Sequence, residues 1–273
     1  SGTFAPQFGE AMSGVVRISS LSEVSETPKF ALKTFTDKLG LGTASENTYS
    51  YEFVVSSALP FYKNLAFVLS HRSYSTDGYI YGYIYPEYVN SEGTDFSGTP
   101  EKVPMQYNDT EFNFAKILWQ ATSDFKISLG GFISKSNKGL YNHYYKYNPY
   151  GTPRVRLNDN LIYLKMNYLI NKDSYINASL SNYERGFKSR VFDDISFYDI
   201  VPQTGTAEFS ITGEDWVFFD TYFKRKEASI DYVWQINKIH NISVGGTYQN
   251  MQTDLARRNP DGGTALENYS YKP

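Results

Sequence analysis

Apolar and polar residues alternate one by one along most of this chain. Several runs have an apolar residue at every second position: Ile162, Leu164, Met166, Tyr168 and Ile170; Ile176, Ala178 and Leu180; Ile230, Tyr232 and Trp234; Ile242, Val244 and Tyr248. Successive side chains of a strand point to opposite faces, so this pattern predicts strands with one apolar face. Each run is roughly ten residues long, which exceeds the usual soluble strand and suits a tilted strand that crosses a bilayer.

The connections between these runs alternate between short and long. Short ones lie at 60–64, 122–124, 171–173 and 237–239, and long ones at about 75–109, 135–158 and 185–223. Residues 109–120 could form an amphipathic helix, but their neighbours favour a strand. About nine strands in up-and-down order would place every short turn at one end, as in transmembrane β-barrels. An odd strand count leaves an open edge, which lipid does not tolerate, so either the rest of the barrel is missing from this chain or the barrel interpretation is wrong.

Composition narrows the possible functions. The chain has 273 residues, a net charge of −3 and no cysteine, which argues against nucleic-acid binding, disulfides and thiolate metal sites. Aromatic residues make up 17%, including 25 tyrosines, and tyrosine is enriched in β-sheets and at membrane interfaces. The three histidines lack metal-ligand spacing, and no catalytic or nucleotide-binding motif occurs. We therefore expect no catalytic residues, no metal, no cofactor and no enzymatic activity.

The first residues differ from the rest of the chain. The stretch FGEAMSGVVRISS at 8–20, followed by KFALKTFTD at 29–37 and by the segment 48–82, resembles the TonB-dependent outer-membrane receptors. In that family a similar segment ends the plug domain and leads into the first barrel strand. The resemblance implies the end of a plug over residues 1–27 and the N-terminal part of a β-barrel over residues 28–273. The predicted fold is thus a partial, all-β, antiparallel transmembrane barrel.

The resemblance also implies packing of the plug end against the barrel wall. Small residues allow close backbone approach, and β-branched residues favour an extended strand. The residues expected in this contact are Gly9, Ala11, Ser13, Gly14, Val15 and Val16. An ordinary tight turn and strand would explain the same residues.

The long connections carry the candidate ligand-binding residues. Tyrosine rings can stack on sugars or other flat ligands, but an aromatic girdle with mutual loop packing is the favoured explanation. The candidates are Tyr79, Tyr81, Tyr83, Tyr85, Tyr144, Tyr145 and Tyr147. A mixed-charge, hydrated interior is predicted from Glu52, Arg72, Lys116, Lys126, Lys165 and Asp231. The paired acids Asp193–Asp194 and Glu214–Asp215 are expected to be solvated loop residues.

Three functions remain open at this point. The first is energy-coupled import of a scarce nutrient across a Gram-negative outer membrane. The resemblance then implies outer-membrane lipid, a TonB complex, and a small-molecule, glycan or peptide cargo as partners, with a surface lipoprotein as a further candidate. The TonB-coupling box is not in this chain. The second is an outer-membrane scaffold or adhesin without transport. The third is a soluble, secreted β-rich binding or hydrolytic domain, whose apolar faces would pack between two sheets.

Overall fold

The computed structural model describes residues 27–38, 46–88, 96–198, 202–205, 207–258 and 266–271. Ten antiparallel strands form one sheet in which each strand pairs with its neighbours in sequence. The strands are β1 (Lys29–Thr36), β2 (Tyr49–Leu59), β3 (Tyr62–Thr76), β4 (Asn108–Gln120), β5 (Phe125–Gly139), β6 (Arg154–Asn171), β7 (Ser174–Arg190), β8 (Phe218–Gln235), β9 (Asn241–Arg258) and β10 (Leu266–Tyr271). The all-β, up-and-down prediction is confirmed. Within the described residues the sheet is open, with β1 and β10 at its ends.

Two details of the prediction were wrong. The sheet has ten strands rather than about nine, and the additional strand, β10, is only 6 residues long and has no clear alternation in the sequence. The strands also extend further than predicted: β6 has 18 residues and β7 has 17, so that 154–158 and 185–190 belong to the sheet and not to loops. Residues 109–120 form most of β4, which confirms a strand rather than a helix.

Short and long connections lie at opposite ends of the sheet. Turns at 60–61, 121–124, 172–173 and 236–240 join strands at one end. The connections 77–107, 140–153 and 191–217 lie at the other end. We call the strand segments next to the short turns the turn half of the sheet and the remainder the loop half. Within the described residues, no helix is long and apolar enough to cross a membrane.

The two faces of the sheet follow from the strand register. One cross-strand row joins Phe67, Ile117, Leu129, Leu164, Leu180, Ala228 and Tyr248. We call the side that carries this row the front face. The adjacent row lies on the opposite side, the back face, and joins Ala66, Leu118, Ser128, Lys165, Ser179, Ser229 and Thr247.

The most deeply buried side chains lie in the long connections rather than in the sheet. Tyr198 and Ser210 are almost completely buried, and Met105 and Tyr145 are nearly so. Two short strands, Tyr81–Ile84 and Glu101–Pro104, pair within the connection 77–107. The part of the molecule that resembles a globular core is therefore a cluster of loops at one end of the sheet.

Candidate functional site

The front face of the turn half is an apolar band. Its aliphatic side chains are half exposed: Ile117 at 49% and Ile230 at 56% of their full accessible surface. Trp119, Tyr168 and Trp234 lie on the same face close to the short turns and are also exposed. A contiguous apolar surface of this kind is rare in a soluble monomer and marks contact with protein or lipid.

The back face of the turn half is polar and charged. The residues predicted for the interior all have their side chains on the back face. Lys116, Lys126, Lys165 and Asp231 lie in the turn half, whereas Glu52 and Arg72 lie in the loop half, in the cross-strand row of Phe112. Glu52 is directly opposite Arg72 on β3 and Lys33 on β1. Cross-strand pairs of opposite charge stabilise a sheet modestly, and these residues give the back face a mixed-charge character.

Both faces change character in the loop half, and the front face becomes polar. There the front face carries charged pairs such as Lys224 Nζ and Glu184 Oε1, which lie 2.6 Å apart. The back face carries aromatic pairs, with ring centroids 5.4 Å apart for Phe112 and Phe132, 6.2 Å for Tyr183 and Phe223, and 5.8 Å for Phe187 and Phe219. One continuous sheet therefore has an apolar front near the turns and, near the loops, a back face that combines aromatic pairs with ion pairs such as Arg185 and Asp159.

Three long connections interlock above the loop half, and we call them the loop cluster (77–107, 140–153 and 191–217). The backbone N–H of Tyr83 donates to Lys146 O at 2.7 Å, and that of Asp215 donates to Gly151 O at 2.7 Å. Asn148 Nδ2 donates to Gly213 O at 2.6 Å. These bonds join each connection to the next, so the cluster is a fixed surface rather than three independent loops.

The predicted tyrosines occupy different positions in the loop cluster. Tyr79 is exposed at 69%, whereas Tyr145 is buried at 4% and has no ring face available to a ligand. Tyr144 is partly exposed and packs edge-on against Tyr145, with ring centroids 5.2 Å apart. Gln203 Nε2 donates to the Tyr145 hydroxyl at 3.1 Å. Burial, followed by the charge of Asp215, raises the pKa of Tyr145 well above its usual range.

The remaining predicted tyrosines are partly exposed and surround two lysines. Lys146 Nζ lies 6.0 Å from the Tyr83 ring centroid and 5.3 Å from that of Tyr147. Tyr85 meets Tyr147 edge to face at 6.1 Å. On the other side, Lys102 Nζ lies 5.9 Å from the Tyr81 ring centroid. The structure thus brings Tyr83, Tyr85 and Tyr147 together around Lys146, and Tyr81 contacts Lys102, the cross-strand partner of Tyr83.

Two aromatic residues of the loop cluster were not predicted. The Tyr198 hydroxyl accepts from the N–H of Val191 at 2.9 Å and donates to Val217 O at 3.0 Å. It thereby closes the connection 191–217 at its base. Phe209 packs against Tyr147 with ring centroids 5.0 Å apart. Neither residue lies in a tyrosine-dense segment, so the sequence carried no local signal for these roles.

The paired acids separate into different roles. Asp193 lies 2.9 Å from Arg156 and 3.0 Å from Arg190. Burial alone would raise the pKa of Asp193, but the two guanidinium groups hold this pKa below its usual range. Asp194 caps a short helical turn by accepting from the Ser196 N–H at 2.9 Å. Among the described residues no group of three or more His, Cys, Asp and Glu side chains could hold a metal ion.

The six residues predicted to pack the plug end against the wall, Gly9 to Val16, lie outside the described residues. Their role and the boundary between 1–27 and 28–273 stay predictions. Neither a scan against protein-family models nor a search of curated proteins finds a match for this chain.

Proposed function

We propose that this chain forms part of the wall of an outer-membrane β-barrel receptor of the TonB-dependent type, which binds a nutrient at the cell surface and imports it. The observation that carries the proposal is the apolar front band confined to the turn half. On β6 it runs from Ile162 to Ile170, about 26 Å along the strand at about 3.3 Å per residue. With a strand tilt of about 40° this gives about 20 Å of height, near the roughly 25 Å apolar band of such barrels.

The remaining surfaces support the same proposal. A lipid-facing front requires a back face that lines a water-filled or plugged lumen, and the turn half has Lys116, Lys126, Lys165 and Asp231 there. A front face that turns polar in the loop half fits strands that extend beyond the bilayer. All three interlocked connections would then lie outside the cell, where a receptor contacts its cargo.

A barrel that only binds, as a scaffold or adhesin, is the second candidate. It is favoured by the loop cluster, whose backbone hydrogen bonds fix its surface. A soluble sandwich fits less well, because no second sheet covers the front band within the described residues.

Lipid contact is tested by fluorescence quenching with brominated phospholipids, using the full polypeptide that contains this chain. Trp119 and Trp234 lie at the turn edge of the band, and Trp216 is exposed in the loop cluster. Replacing Trp119 or Trp234 by Phe should remove quenchable emission, and Trp216→Phe should remove only emission that bromine does not quench. Equal quenching of all three would contradict the proposed orientation.

Transport is tested separately by uptake. Cells that express the full polypeptide should accumulate a labelled nutrient only while the TonB complex is intact. If none of the small molecules, glycans and peptides that bind is taken up in a TonB-dependent way, the scaffold function would be established instead.

A further inference from the structure

The front face of the loop half contains a polar cleft made of two adjoining cavities. One has a volume of about 530 Å³ and the other about 340 Å³, and both are lined by Asp109 and Asn137. The larger cavity lies against β2 to β6, and the smaller one lies under the loop cluster beside Tyr107 and Tyr150. The predicted aromatic loop residues are not part of this cleft.

Two cross-strand rows form the floor of the larger cavity. The first joins Ser75, Asp109, Asn137 and Arg156, and the second joins Ser73, Glu111, Lys135 and Asn158. Neighbouring strands are about 4.8 Å apart, and the rows are separated by two residues, about 6.6 Å. Carboxylate, amide and guanidinium groups are planar and can each make two hydrogen bonds. Such a grid places several groups of this kind within the span of one or two sugar rings.

The charges of this floor cancel. Asp109 and Glu111 are matched by Lys135 and Arg156, and Arg156 also pairs with Asp193, which in turn pairs with Arg190. In the smaller cavity Asp77 is matched by Arg154. A site for phosphate or sulfate would have an excess of positive charge, and a cation site an excess of carboxylates. A balanced set of charged and amide groups favours a neutral ligand with many hydroxyls.

One acceptor in the cleft has no partner. Asn137 Oδ1 is shielded from solvent and receives no hydrogen bond from the described residues. The neighbouring carboxylate is already engaged, because Ser75 Oγ donates to Asp109 Oδ1 at 2.5 Å. A buried unpaired acceptor is unfavourable. Because Asn137 lines both cavities, rotation of its amide would bring this acceptor to a ligand hydroxyl.

Aromatic rings border the cleft at both ends. Tyr49 borders the larger cavity and Tyr150 the smaller one, and both side chains are about half exposed. Tyr107 lies against Gly139, where an added Cβ would be 2.7 Å from its ring. Exposed tyrosine rings offer flat apolar surfaces on which the C–H face of a sugar can stack.

We propose that this cleft binds one or two rings of a neutral saccharide. The ligand is either a free oligosaccharide or the sugar headgroup of a glycolipid. The glycolipid alternative rests on the proposed function, because only a bilayer around the turn half places lipid headgroups beside the cleft. Binding of a free sugar requires no membrane.

Saturation-transfer NMR on the full polypeptide in a sugar-free detergent tests this site. The free probes are maltotetraose, cellotetraose, xylotetraose and chitotetraose. The lipid probe is digalactosyl diacylglycerol in phosphatidylcholine vesicles, with pure phosphatidylcholine as the blank. We expect transfer to at least one neutral probe and a dissociation constant at least about tenfold weaker for Asp109→Asn and for Asn158→Ala, which correspond to about 1.4 kcal/mol.

Asn250→Ala is the matched control, since Asn250 is an exposed polar residue on the front face of β9, far along the sheet from the cleft. It should leave binding unchanged. Any one of three results would overturn the proposal. These are transfer to no neutral probe, tighter binding of glucose 6-phosphate than of any neutral probe, and equal binding by the cleft variants and the wild type. Sugar binding without bromine quenching of Trp119 would preserve the cleft and reject the membrane orientation.

Discussion

The turn half and the loop half of this sheet share the same strands and the same hydrogen-bond ladder, yet their front faces have opposite polarity. In the turn half, Ile230 on the front is exposed and Asp231 is on the back. In the loop half of the same strand, Lys224 is on the front and Phe223 is on the back. A continuous backbone therefore does not require a continuous environment. The side chains indicate that the front face contacts apolar surroundings near the turns and water near the loops.

The two halves also differ in how their side chains are held. The loop half lies beneath a cluster with buried Tyr145, Tyr198 and Met105, whereas the turn half has few fully buried side chains. A sheet with so little buried surface needs stabilisation from outside itself, and lipid on the front face would provide it.

The largest effect should come from a charge in the apolar band. Ile230→Arg places a cation on the front face near the middle of the band, and we expect a loss of about 2–4 kcal/mol in unfolding free energy in bilayers. Tyr222→Arg, on the same strand and face but in the loop half, should cost less than about 1 kcal/mol. Urea titration of the protein in vesicles measures both. Equal losses would remove the distinction between the halves.

A second effect should be confined to the loop cluster. A Cβ added to Gly82 would lie 2.8 Å from Pro149 Cβ and 2.9 Å from Lys146 O. Gly82→Ala should therefore destabilise the cluster by about 1–3 kcal/mol and speed hydrogen exchange over residues 140–153, with no change in the turn half. Gly186→Ala is the control, because no atom lies within 4 Å of its added Cβ. Unchanged exchange in Gly82→Ala would contradict the interlocked cluster.

High pH should loosen the same cluster. The folded state holds the Tyr145 proton more tightly than the unfolded state, because burial and then Asp215 raise its pKa. This stabilisation is complete below about pH 10 and is lost as the pH rises toward the raised pKa. Protease cleavage in the connections 140–153 and 191–217 should increase from about pH 9 to about pH 11. Tyr145→Phe should remove the part of that increase due to Tyr145, and an identical profile would refute the assignment.

The smallest effect should come from the ion pairs at the cluster base. Asp193 pairs with Arg156 and Arg190, but its side chain is 65% exposed. Asp193→Asn should cost less than about 1 kcal/mol, and the difference should shrink as salt rises. Thermal unfolding in low and high salt measures it. A loss above about 2 kcal/mol would show that this pair matters more than exposed pairs usually do.

Sequence alternation predicted the strands of the turn half but not their full length, for a physical reason. On β6 the apolar residues occupy even positions from Ile162 to Ile170 and odd positions at Val155, Leu157 and Leu161. The alternation of apolar residues at even positions ends where the apolar residues move to odd positions, although the strand itself continues. The mixed-charge back face was predicted because it keeps one phase. The burial of Tyr145 was not, because it depends on contacts between connections distant in sequence.

The most direct test of the reversal is a nitroxide scan along β6. The chain has no cysteine, so single cysteines can be placed from Val155 to Tyr168 in a cysteine-free polypeptide, spin-labelled and reconstituted into vesicles. Accessibility to oxygen, which concentrates in lipid, is compared with accessibility to a water-soluble nickel complex. We predict oxygen maxima at 162, 164, 166 and 168, and high nickel accessibility at 156 and 158. Oxygen maxima that continue to 156 and 158, or that are absent throughout, would contradict a bilayer confined to the turn half.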